Sequence, residues 1–139
     1  MWATSRDEEK GKKALEIGAH EVFESGARLP GKVDAVIETV GKATWSHSMR
    51  ALRPGGTLVV SGATTGPDPS ADLNRLFFLQ LRVIGSTMGT RDELADLLGF
   101  CTATGLRPFI DDIRPLSDAR SSVERLAEGN VFGKLVLTV

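Results

Sequence analysis

The chain has 139 residues, enough for one domain with a substantial core. Charged residues make up 25%, the net charge is -1, and Lys and Arg are dispersed, which excludes the basic footprint of a nucleic-acid-binding domain. Apolar runs are too short to span a membrane, and Asp7-Glu8-Glu9 interrupts any signal-peptide core, so a cytoplasmic location is expected.

In chain order, short apolar runs alternate with helical patterns, the signature of a parallel sheet covered by helices. Ala3-Thr4-Ser5-Arg6 reads as a strand running into an acidic helix start. Ser5 and Glu8 have the spacing of a capping box, which predicts a helix to about Ile17 with Gly18 as its stop. Glu21 to Phe23 reads as a short strand and Ser25 to Lys32 as a loop. Val33 to Glu38 is the strongest early strand, followed by a helix whose apolar stripe is Trp45, Met49 and Leu52. Pro54-Gly55-Gly56 is expected to end that helix, and Thr57 to Val60 to form a strand buried on both faces.

After a loop from Thr64 to Ser70, a short helix is expected from Asp72 through Leu81, then a strand from Arg82 to Ser86. Thr90 and Glu93 form a second capping-box pattern. Leu94, Leu97, Leu98 and Cys101 behind it share a helical face read as core, with Gly105 as the stop. Phe109 to Arg114 reads as a strand, Ser117 as the cap of a helix ending at Gly129, and Leu135 to Val139 as the last strand.

The residues offer few groups for chemistry. Cys101 is the single cysteine, so no internal disulfide can form, and with His20 and His47 it cannot assemble a four-ligand zinc site. His47 lies off the Trp45 stripe and reads as a solvated side chain. Asp111 and Asp112, adjacent on a strand, point to opposite faces and read as solvated or ion-paired rather than as a catalytic pair. No G-x-G-x-x-G occurs, although that loop is where a dinucleotide-binding fold grips a pyrophosphate.

The ordered motifs resemble a known family, the medium-chain dehydrogenase/reductases, and within it the quinone oxidoreductase and zinc-type alcohol-dehydrogenase-like members. The resemblance is carried by Ala3-Thr4-Ser5-Arg6, Ile17-Gly18-Ala19-His20, Val33-Asp34 to Val40-Gly41, Leu52-Arg53-Pro54-Gly55-Gly56 to Ser61-Gly62, Ile84-Gly85-Ser86-Thr87, and Gly129-Asn130-Val131-Phe132-Gly133-Lys134. It implies an α/β fold, a Rossmann-like parallel sheet with flanking helices, truncated at its N-terminus before the first strand and glycine loop. The chain is then one partial domain over residues 1–139, with 106–139 the segment returning toward a catalytic domain outside it.

The resemblance also implies a cofactor site. Ser5 and Arg6, with Lys10 as helper, would read the adenosine ribose, and an arginine there suits a 2′-phosphate, so NADP(H) is expected ahead of NAD(H). Phe23 stands near where the family often has a tyrosine beside that phosphate. Thr39, Val40 and Gly41, then Ser61, Gly62 and Ala63, then Ser86 and Thr87, would line the groove at successive strand ends, and Gly133 and Lys134 would close it.

The implied activity is NAD(P)H-dependent oxidoreduction of a quinone, enone, aldehyde or alcohol. No catalytic residue is assigned within the chain, and the isolated chain is expected to be inactive. A homo-oligomer, a dimer through exposed strand edges, is the expected assembly; the gap left by a first strand would otherwise close with a changed strand order. Two other readings compete. Leu52 to Val60 also suits an S-adenosylmethionine-dependent methyltransferase, and the lack of a glycine loop suits a non-catalytic α/β binding module.

Overall fold

A computed structural model of the chain describes residues 1–139. It is an α/β structure with parallel sheets flanked by helices, as the alternating pattern requires, and it divides into two compact units, Met1–Met88 and Gly89–Val139.

The first unit starts with a β-α-β crossover. Strand β1 (Trp2–Ser5) leads into helix α1 (Glu8–Glu16) and returns as β2 (Glu21–Glu24), parallel to β1. The helix is capped by Asp7, not Ser5: the Asp7 carboxylate accepts from the Lys10 N–H at 3.0 Å. Ser5 instead closes a tight turn, its hydroxyl donating to the Asp7 carbonyl at 2.7 Å and accepting from the Asp7 N–H. Both residue types cap well, and the turn geometry decided which one does.

A second crossover runs from β3 (Val33–Glu38) through α2 (Lys42–Ala51) to β4 (Leu52–Val60), and β5 (Arg82–Gly85) follows the short helix α3 (Leu73–Phe78). The order is β3-β4-β5, all parallel. Strand β4 begins five residues earlier than expected. Pro54-Gly55-Gly56 lies inside it, and a register shift between Val33 and Ala35 absorbs the irregularity. Helix α3 stops at Phe78, short of Leu81, where Gln80 takes a left-handed φ of 51°.

The core of this unit is where α2 covers β3 and β4. Met49, Leu52, Leu58 and Leu81 are buried together, with Trp45, Val36 and Leu76 packed around them. The stripe predicted from Trp45, Met49 and Leu52 is therefore the inward face of α2 and its exit. The two sheets do not join: no changed strand order closes the space between β1 and β3.

The second unit holds α4 (Arg91–Thr104), β6 (Ile110–Pro115), a 3-10 turn (Leu116–Asp118), α5 (Ala119–Ala127) and β7 (Lys134–Thr138). The Thr90–Glu93 capping box forms in both directions, and Gly105 ends α4 in the left-handed conformation. The apolar face of α4 is not core, however. Leu94, Leu97 and Leu98 are more than half exposed, and Cys101 is half-buried. Ser117 does not cap α5: the 3-10 turn intervenes, and the Ser117 hydroxyl bonds to the Asp118 carboxylate instead.

Strands β6 and β7 pair parallel. Asp111 and Asp112 are ion-paired, as one of the two readings had it. Arg125 reaches both carboxylates from α5, Arg114 bonds Asp112 at 2.7 Å, and the Phe132 N–H donates to Asp111 at 3.0 Å. Arg114 first, and Arg125 with it, holds the Asp112 carboxyl below its usual range. Replacing Arg125 with alanine takes a cation from the well-covered Asp111. The expected cost is about 2 kcal/mol, read as a lower urea midpoint.

Candidate functional site

In Met1–Met88 the carboxyl ends of β3, β4 and β5 stand side by side, the place where open α/β sheets gather ligands. Thr39, Val40 and Gly41 leave β3, Ser61, Gly62 and Ala63 leave β4, and Ser86 and Thr87 leave β5. The first two loops are locked together. The Ser61 N–H donates to the Glu38 carbonyl at 2.9 Å, and the Thr65 N–H and hydroxyl both reach the Val40 carbonyl at 2.8 Å. The Ser86 N–H donates to the Val60 carbonyl at 2.8 Å, which ties the third strand end to the second.

Two glycines make this closeness possible. Gly41 has a φ of 91°, and a methyl group on it would lie 2.7 Å from the Gly66 carbonyl oxygen and 2.8 Å from the Ala63 Cα. A methyl group on Gly62 would lie 2.7 Å from the Thr39 carbonyl oxygen. Such distances to backbone admit no side chain at either position.

The residue that organises these loops is Glu38, which the sequence reading passed over. It is 3% exposed. Oε1 accepts from the Val40 N–H at 2.8 Å, the Gly41 N–H at 3.0 Å and the Thr44 hydroxyl at 2.7 Å, and Oε2 accepts from the Ser48 hydroxyl. Gly41 has no side chain to cap α2, so the Glu38 carboxylate serves that end of the helix from the preceding strand. Burial pushes the Glu38 carboxyl up, but the donors from Ser48, Gly41, Thr44 and Val40 outweigh it and hold it below the usual carboxylate range. A signal was available: an acid closing an apolar strand must be hydrogen-bonded, and hydroxyls follow it six and ten residues on.

Thr39, Ser61 and Ala63 are exposed at the rim, as are Ser86 and Thr87. Ser5 ends β1 and is engaged in its turn, the exposed Arg6 follows it, and Lys10 lies on the first turn of α1. Gly133 and Lys134 belong to the second unit, where the Lys134 N–H donates to the Phe109 carbonyl at 2.9 Å and begins β7. His47 is not solvated as expected: it is half-buried, with Nε2 2.8 Å from the Ala27 carbonyl oxygen.

Residues 1–103 match the family described as zinc-binding dehydrogenase. The chain is 28% identical over its whole length to the zinc-type alcohol dehydrogenase-like protein YogA of Leptosphaeria maculans, covering 44% of that protein. It is 30% identical over 77% of its length to an NAD-dependent alcohol dehydrogenase of Sulfolobus acidocaldarius, covering 31% of it. Among solved structures, a thermostable alcohol dehydrogenase of Pyrobaculum aerophilum, one bound to cobalt and zinc, superposes with a TM-score of 0.87 at 31% identity, over 99% of this chain and 42% of that one. The chain thus spans less than half the length of these relatives.

One correction follows. The NADP(H) preference read from Arg6 is overturned by an alcohol-dehydrogenase kinship that includes the NAD-dependent Sulfolobus enzyme. In the structure Arg6 is followed by Asp7, whose carboxylate caps α1, so the strand end carries an acid beside the arginine. The metal in the family's description finds no ligand set in this chain. His47 is engaged by Ala27, and nowhere do three His, Cys, Asp or Glu side chains gather. These residues do not fit a zinc site, and no chemistry is routed through one. No helix is long and apolar enough to cross a membrane.

Proposed function

Because the chain belongs to the zinc-binding dehydrogenase family of the medium-chain dehydrogenase/reductases, we propose that it is the cofactor-holding part of an NAD(H)-dependent oxidoreductase that interconverts an alcohol and its carbonyl compound. The observation that carries the reading is the pair of strand-end loops, 39–41 and 61–63, packed backbone to backbone under the Glu38 carboxylate. Such a rigid rim at the carboxyl ends of parallel strands orients a dinucleotide before it arrives, so little ordering cost is left to binding. When bound, the nicotinamide supplies or takes the hydride.

The residues divide the work along the rim. Asp7, which uses only one carboxylate oxygen to cap α1, offers the other to the adenosine ribose hydroxyls, with Ser5, Arg6 and Lys10 around it. Thr39, Val40 and Gly41 with Ser61, Gly62 and Ala63 form the middle of the rim, and Ser86 and Thr87 its far end. No residue of the chain is assigned to polarise the substrate carbonyl, so turnover by these 139 residues alone is expected to be absent. The outer edge of β5, Arg82–Gly85, exposed throughout, is the surface we assign to homodimer formation.

The test is a calorimetric titration with NADH, with NADPH and S-adenosylmethionine as comparisons. Saturable binding that prefers NADH supports the reading, whereas preference for S-adenosylmethionine, or heat from none of them, refutes it. An Asp7→Asn variant keeps the helix cap but loses the charge. Its affinity for NADH should fall about tenfold, or 1.4 kcal/mol.

A further inference from the structure

A cavity of about 80 Å3 lies between α2 and the segment that enters α3. Trp45, Ser46 and Arg50 line it from α2, and Ser70, Asp72 and Arg75 from the other side. Ser46 and Arg50 are four residues apart on the helix and so share a face. Two buried donors at this cavity have no hydrogen-bond partner, the Trp45 indole Nε1–H and the Arg75 Nε–H. A buried indole N–H ordinarily finds an acceptor. Trp2 does, donating to the Glu21 carboxylate at 3.0 Å. The Trp45 ring packs against the Met49 core, so turning its N–H elsewhere would give up that packing.

The lining does not supply the missing acceptor. Asp72 is its one carboxylate, and the helix end uses it. Oδ1 accepts from the Arg75 backbone N–H at 3.0 Å, and Oδ2 stands 3.5 Å from Arg75 Nε, an ion-pair contact that makes no hydrogen bond. Two cations, Arg50 and Arg75, face this single acid, so the cavity carries a surplus of positive charge. Indole and guanidinium are donors only, so an occupant that satisfies them must bring acceptors. At about 30 Å3 per water, the space holds about two to three waters, or one group the size of a phosphate, and is too small for a nucleotide.

We propose that this cavity binds one small oxyanion of the phosphate type, whose oxygens accept from Trp45 Nε1 and Arg75 Nε and whose charge is met by Arg75 and Arg50. The Ser46 and Ser70 hydroxyls stand at its edge as further donors. Water would satisfy both buried donors but leave the surplus charge unmet. A cation would find no carboxylate to spare, and an apolar group would leave both donors stranded. Once bound, the anion ties α2 to the start of α3, two elements that pack on the same core. None of the rim residues 39–41, 61–63 or 86–87 lines the cavity, so the inference does not rest on the cofactor reading.

The probe is inorganic phosphate, titrated into the 139-residue chain at neutral pH with ionic strength held constant by sodium chloride. Proton–nitrogen NMR reads the chain's two indole N–H groups, and Trp2, already bonded to Glu21, is the internal control. The Trp45 indole and the Arg75 Nε–H should shift together and saturate, half-complete at about 1 mM phosphate, while the Trp2 indole stays in place. Trp45→Phe keeps the packing ring and loses the donor; followed at the Arg75 Nε–H, its affinity for phosphate should fall about tenfold. Arg50→Gln, at an exposed position, should weaken binding about threefold. If Trp45→Phe does not fold, Arg50→Gln still decides, since unaltered affinity there removes the charge on which the proposal stands. The proposal is overturned by a Trp45 indole that has not moved at about 50 mM phosphate, which would leave the cavity to water. It is overturned as well by an equal shift with chloride alone, by equal movement of Trp2, or by a Trp45 indole that answers NADH but not phosphate, which would give the cavity to the cofactor.

Discussion

A Glu38→Ala variant will unfold at a much lower urea concentration than the parent chain, by about 4 kcal/mol of stability. The substitution removes one carboxylate and strands four donors: the N–H groups of Val40 and Gly41 and the hydroxyls of Thr44 and Ser48. Ser48 is buried, so water cannot readily take the place of its lost acceptor. Glu38→Gln keeps the shape but not the charge, and should cost about half as much.

The same carboxylate makes a pH prediction. Its folded pKa lies below the ordinary value of 4.5. A lowered carboxyl contributes stability that is fully present above the unfolded value and is lost as pH falls through the folded one. The parent chain should therefore lose its advantage over Glu38→Gln on going from pH 7 to below about pH 4. Urea midpoints of the two proteins across that range measure it, and a constant difference would count against the charge as the cause.

The second large effect is expected at Gly41. Alanine there meets a φ of 91° and two backbone atoms closer than 3 Å, Gly66 O and Ala63 Cα. Left-handed strain of about 1 kcal/mol adds to a clash that only backbone movement relieves, so a total of about 3 kcal/mol is expected. Because the movement would pull the 39–41 loop from the 61–63 loop, NADH affinity should drop with it. Thermal melts and a cofactor titration on the same sample separate the outcomes: lost stability with intact binding would take Gly41 out of the site.

Much of this fold was legible in the residues. The apolar run Val33 to Glu38, the stripe Trp45 and Met49, and the Thr90–Glu93 box each depend on neighbours in sequence, and each forms as read. Where two local solutions compete, legibility ends. Ser5 and Asp7 both suit a cap, and the turn geometry selected Asp7. Ser117 lost its role to a 3-10 turn that no spacing announces. Leu52 belongs equally to a helical stripe and to a strand, and pairing with Val33 drew it into β4.

The candidate site divides along the same line. Thr39 to Gly41 and Ser61 to Ala63 could be placed at the carboxyl ends of parallel strands because the apolar runs before them are read from the sequence. Glu38 could have been found from the cost of burying a carboxylate but was read only as the end of a strand. His47 could not, since its partner is the carbonyl of Ala27 on a loop twenty residues away. The cofactor preference failed because it rested on the single side chain of Arg6, whereas the kinship includes an NAD-dependent alcohol dehydrogenase.

The most direct test of the central claim is a residue-resolved NMR titration of the chain with NADH. The account predicts saturable amide shifts at Asp7, at Thr39 to Gly41, at Ser61 to Ala63 and at Ser86 and Thr87, with α4 silent. Shifts scattered over the surface, or confined to residues away from these strand ends, would contradict it.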